Sequence, residues 1–200
     1  MAVIHHTTLT PTKLELLAAW LPAQPWYAGS GQPAALARAG GFRLDDPAGE
    51  VGIEFMVVTD SADGASVSYH VPLTYRGAPL PGAHHALIGQ AEHGVLGRRW
   101  IYDGVHDPVL MAQLRELLRG GVQAQAQSVS DTADPTVVGC FTGTDLSEAE
   151  LRIVRRPEPS RGDVPEPGGT VGYVEATWHL PDGSEVRGRL VLVPDTALEN

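Results

Sequence analysis

Lysine is nearly absent from this chain: Lys13 stands alone among 200 residues, the one asparagine is the terminal Asn200, and the one cysteine is Cys140. A lone cysteine excludes an internal disulfide, and with no basic neighbour in sequence to lower its pKa it reads as a small apolar residue. A lone lysine at the start of an apparent helix removes most lysine chemistry, and the arginine bias around it reads as high-GC coding. No apolar run approaches the roughly 18 residues that span a bilayer. The opening Met1-Ala2-Val3-Ile4-His5-His6 lacks a basic stretch leading into an apolar one, so the expected location is the cytoplasm. Positive charge is also scarce. A net charge of −10 works against phosphate backbones and anionic membrane surfaces, so neither nucleic acid nor membrane is an expected partner.

What is present is enough apolar residue for one sizeable core. Thr10-Pro11 offers an N-cap and a proline at the first helical position, and Leu14, Leu17, Ala18 and Leu21 follow at helical spacing. Short β-type runs then cover Phe42 to Leu44, Val51 to Thr59, Val67 to Tyr75 and Ala86 to Tyr102, the last as two strands. Asp45-Asp46-Pro47 and Asp60-Ser61-Ala62-Asp63-Gly64 supply turns, and connections this short imply an antiparallel meander. Pro72 implies an edge or a bulge. Asp107 as N-cap and Pro108 at N1 open a second helix with Leu110, Met111, Leu114, Leu117 and Leu118 on its apolar face, ended by Gly120-Gly121. Val122 to Pro135 is read as a linker or mobile loop between a domain of residues 1–121 and a β-rich extension of residues 136–200 packed on that same domain. That extension carries runs at Val137 to Thr142 and Leu151 to Arg155, and a hairpin turning at Pro181-Asp182-Gly183.

Trp26-Tyr27-Ala28-Gly29 after an amphipathic helix, Tyr69-His70-Val71-Pro72-Leu73-Thr74-Tyr75, Arg99-Trp100-Ile101-Tyr102-Asp103 and Asp107-Pro108 occur in one order. That ordered set resembles the N-terminal cap of actinobacterial maltokinases, and more closely the free-standing cap-like proteins of about this length, over roughly residues 10 to 120. The resemblance implies an α+β fold of cystatin-like topology: a curved antiparallel β-sheet packed on two α-helices, here with a C-terminal β-hairpin extension. It does not bring the kinase, whose catalytic residues belong to a C-terminal lobe. Neither a Gly-rich nucleotide loop nor a Gly-Lys-Ser/Thr motif is recognisable, and His106-Asp107-Pro108 has the wrong order for a His-x-Asp loop.

The dense turn from Leu96 to Pro108 holds the sharper alternatives. Asp103, His106 and Asp107, with His84, His85 or His93, are metal-ligand types, but Asp107 is already explained by capping. Asp103 with His106 is an acid–base pair lacking a fixed nucleophile. Trp26, Tyr27, Trp100 and Tyr102 are read as core aromatics in preference to a sugar platform. Arg98-Arg99 suits a phosphate or a partner's carboxylates, or internal ion pairs. His5-His6 and Arg161-Gly162-Asp163 are read as surface and chance. The resulting expectation is a non-catalytic accessory protein, with no catalytic residue, cofactor or metal assigned, linked to α-glucan, trehalose or amino-sugar metabolism. Its ligand or partner surface is expected at Trp26, Tyr27, Arg98, Arg99, Asp103 and His106, its partner is a sugar kinase capped in trans or another α-glucan protein, and its state is monomer or homodimer. An enzyme using the Asp103, His106 and Asp107 turn is the alternative.

Overall fold

The computed structural model describes residues 9–29, 34–62, 66–127, 129, 131–160 and 169–195. His5-His6 and the rest of the opening, Ser30-Gly31, Asp63-Gly64, Arg161-Gly162-Asp163 and Pro167-Gly168 lie outside the described residues.

After β1 (Leu9–Thr10), α1 (Lys13–Trp20) starts on Thr12 rather than on the expected Thr10. The reason is reciprocal bonding: the Glu15 amide donates to Thr12 Oγ1 at 3.3 Å, and the Thr12 amide donates to Glu15 Oε2 at 2.7 Å. Thr10 is instead paired with Glu92 in the sheet. Leu17 and Leu21 are buried as the helical spacing requires. The meander follows as β2 (Leu36–Leu44), β3 (Gly52–Asp60), β4 (Val67–Arg76), β5 (Leu87–His93) and β6 (Gly97–Asp103). The Ala86 to Tyr102 run is therefore two strands. β2 begins six residues before the apolar run at Phe42. Its first half, Leu-Ala-Arg-Ala-Gly-Gly, has poor β-formers, and pairing of Leu36 to Arg38 with Asp60 to Val58 holds it.

α2 (Pro108–Leu118) is capped by Asp107, whose Oδ1 accepts from the Val109 amide at 3.0 Å. At its other end Gly120, at φ +73°, donates to Leu117 O, and Gly121 donates to Glu116 O. That pair of bonds is a Schellman stop. β7 (Gln125–Ala126), β8 (Val138–Phe141), β9 (Arg152–Ile153), β10 (Thr170–His179) and β11 (Glu185–Pro194) complete the described elements. The last two form the expected hairpin: Asp182 Oδ1 accepts from the Ser184 amide at 2.9 Å and Gly183 takes φ +83°.

All described strand pairs are antiparallel, and the eleven strands run in the order β1-β5-β6-β4-β3-β2-β10-β11-β9, with β7 on β2 and β8 on β10. The architecture is thus mostly antiparallel sheet with two short helices, an α+β arrangement. β3 decides how the core divides. Its Ile53, Phe55 and Val57 join α2's Leu110 and Leu114, whereas Met56 and Val58 join Leu17 of α1 and Leu21 just after it. Alternate side chains of a strand face opposite ways, so the helices cover opposite faces, and a strand covered twice reads as the near-continuous apolar run seen here.

Two expectations need correction. Pro72 lies neither at an edge nor in a bulge; β4 is flanked by β3 and β6. The β6 ladder ends at Leu73, one residue short, so the missing proline donor costs no ladder bond. The described residues of 122–135 are tied down rather than left as a linker. β7 pairs with Phe42 and Arg43, the Asp134 amide donates to Ala124 O at 2.8 Å, and Ala124 is buried. The polar composition of this stretch serves side-chain bonds to the sheet, such as Gln125 Nε2 to Asp45 at 2.6 Å. The extension at 136–200 shares its core with the preceding strands, since Val174 and Trp178 of β10 lie in one cluster with Phe42 and Phe55. Close approach at Gly40, whose added Cβ would lie 3.0 Å from Trp178 Cα, makes that contact possible.

Candidate functional site

Asp103 ends β6 as a buried carboxylate, and the side chain that meets it comes from far along the chain: Arg155 Nη2 donates to Asp103 Oδ2 at 2.5 Å. The same guanidinium lies 4.8 Å from the ring of Trp26. Arg155 thus brings Trp26 and Asp103 together. Trp26 also meets Trp20 edge-on at 5.8 Å, and Tyr27 stacks on Tyr69 at 5.5 Å while donating to Asp60 Oδ2 at 2.7 Å. Trp100 and Tyr102 pack elsewhere, against Ala83 and Ala86, so the four aromatics do not make one platform.

The turn's other members diverge. Asp107 is fully buried and is gripped by the Arg76 fork, with Nε donating at 2.6 Å and Nη2 at 2.7 Å. Burial alone would raise its pKa, yet the Arg76 and Val109 bonds hold it below the ordinary aspartate value. His106 is exposed, with its Nδ1 3.3 Å from His85 Nε2. Those two nitrogens gain no third ligand: no group of three or more histidine, cysteine, aspartate or glutamate side chains fit for a metal occurs among the described residues. Asp103, His106 and Asp107 therefore face three different partners.

Arg98 and Arg99, adjacent in β6, point to opposite faces. Arg98 pairs in solvent with Glu92 at 2.9 Å. Arg99 donates from Nη2 to Leu96 O at 2.7 Å, while its buried Nε has no acceptor. It lies at one side of a groove of about 810 Å³ that crosses the end of the sheet from β2 to the β5–β6 turn.

The floor of that groove is a charged network. Glu54, buried within β3, accepts from Lys13 Nζ at 2.7 and 2.9 Å, from the Tyr75 hydroxyl at 2.6 Å and from Gln127 Nε2 at 2.5 Å. Burial opposes its charge, but Lys13 and these donors prevail and hold the Glu54 carboxyl below its ordinary value. Burial and the neighbouring Glu54 charge push the Tyr75 hydroxyl well above its ordinary value, so it stays a donor. Arg43 stands directly across from Glu54 in the β2–β3 register. Asp46, also on the rim, spends both oxygens on its own turn, accepting from the Ala48, Glu50 and Val51 amides.

The meander that carries this floor also carries a family match. Residues 20–107 match the family model of the maltokinase N-terminal cap domain. No curated protein matches the chain. The cap match begins at the last residue of α1 and ends at the N-cap of α2, so it takes in β2 to β6 together with Trp26, Tyr27, Arg98, Arg99, Asp103 and His106. Lys13, Gln127 and Arg155 lie outside it. These three bind the cap-matching strands from before and after.

Glu54, Arg76, Gln127 and Arg155 were missed by sequence reasoning. Glu54 did leave a signal: it is the one charge inside the apolar run Val51 to Thr59, and a carboxylate there requires a buried partner. Arg155 left none, being 52 residues from Asp103.

Proposed function

We propose that this chain is a non-catalytic, cap-like accessory protein of α-glucan, trehalose or amino-sugar metabolism, with the cystatin-like sheet topology of kinase caps, acting in the cytoplasm by binding a sugar kinase in trans. The observation that supports the reading is the cap match over residues 20–107, which spans the whole central meander. The chemistry of the turn supports it too. Asp103 and Asp107 each neutralise an arginine, and the chain's one lysine is bound to Glu54, so these two acids and the lysine are engaged in holding the fold together.

Two measurements test this. Purified protein mixed with ATP and either maltose or glucosamine should transfer no phosphate, and tagged protein captured from its own cells should recover a sugar kinase reproducibly. Phosphorylation by the isolated chain overturns the non-catalytic reading, and repeated capture without any kinase overturns the capping one.

A further inference from the structure

We propose that the groove beside α1 binds a small hydroxylated organic anion, a phosphorylated or carboxylated sugar. A volume of about 810 Å³ suits a ligand of that size. The argument rests on which polar groups in it are spent and which are not. Glu54 is saturated by Lys13, Tyr75 and Gln127, and Asp46 by its turn amides, so neither carboxylate claims the nearby arginines. Arg43 has no hydrogen-bond or ion-pair partner among the described residues, although its charge reaches Tyr75. Arg99 keeps a buried Nε without an acceptor and lies against Gly77, where an added Cβ would come 2.7 Å from Nη1. In a protein of net charge −10, two lining arginines without carboxylate partners call for an oxyanion from outside.

The hydroxyl requirement comes from the opposite deficiency. Gln127 donates to Glu54 through Nε2, which fixes the orientation of its amide and leaves Oε1 buried without a donor. A ligand that satisfies both Gln127 and the arginines must donate as well as accept. Leu9, Pro79 and Leu96 line the same groove and suit the carbon face of a sugar ring. Inorganic phosphate lacks that face, and a neutral sugar lacks the anion.

Titration calorimetry on the full chain with glucose 6-phosphate, glucuronate, glucose and inorganic phosphate tests this. One or both of the sugar acids should saturate, with the preferred one telling phosphate from carboxylate, while glucose and inorganic phosphate bind at least about tenfold more weakly. Arg43→Met and Arg99→Met should each weaken the preferred ligand about tenfold or more, and Arg43→Lys and Arg99→Lys should recover part of the loss. Arg119→Met, at the end of α2 and paired with Glu116 away from the groove, should leave binding unchanged, and thermal melts of all variants verify folding. Absence of saturable binding by both sugar acids, equal binding of inorganic phosphate, or full affinity in folded Arg43→Met and Arg99→Met overturns the proposal. The cap reading does not depend on it, because kinase capture is scored without any ligand.

Discussion

Replacing Asp107 by alanine removes two things at once. The first is the cap on the Val109 amide, worth about 1 kcal/mol. The second is the carboxylate gripping Arg76, and stranding one partner of a buried pair costs about 3–5 kcal/mol. The Arg76 side chain is 20% exposed and can regain some water, so the cost falls below that range, to about 2 kcal/mol after discount. The total is about 3 kcal/mol, a fall in Tm of about 6–12 °C for a domain of this size. Asp107→Asn keeps the cap acceptor and the shape but not the charge, and should fall in between. Urea unfolding followed by far-UV circular dichroism measures each variant, and Arg76→Ala with the double variant closes the cycle. The pair should show a coupling of at least about 1 kcal/mol. A loss of only the cap's worth in Asp107→Ala, with additive single effects, would refute the claim that Arg76 and Asp107 act as a unit.

Three further outcomes are expected. His70 is fully buried, and burial with the nearby Arg155 charge lowers its pKa from 6.5 to about 3; the unfolded chain therefore binds the extra proton first, and stability should fall by about 2 kcal/mol between pH 7 and pH 5. His70→Leu should flatten that slope, and a slope unchanged in a folded variant would place its origin elsewhere. Gly41 sits at φ +129° with an added Cβ colliding with Phe55 O, so Gly41→Ala should cost more than about 2 kcal/mol by chemical denaturation, and a neutral result would contradict the β2–β3 geometry. Asp103→Ala strands Arg155 and should destabilise by about 2–4 kcal/mol, whereas exposed His106→Ala should stay within about 0.5 kcal/mol; equal thermal shifts would deny the different partners assigned to the two.

The sequence alone determined what depends on neighbours along the chain. Asp107-Pro108 and Gly120-Gly121 bound α2 because caps and Schellman stops are closed within a few residues, and the Pro181-Asp182-Gly183 turn likewise closes on Ser184. The ordered aromatic and proline motifs were also legible, and the resemblance they carry agrees with the cap-domain match over residues 20–107. Only the tertiary structure decided which charges meet. Asp103 and Arg155 are 52 residues apart, Glu54 and Gln127 are 73 apart, and no local periodicity records which strands become neighbours. The same holds for β2's weak first half and for the described residues of 122–135, which are held by hydrogen bonds to the sheet rather than by apolar content. The groove is the clearest case: its floor joins α1, β3, β4 and the segment after β7, so its charge balance exists only once the chain has folded.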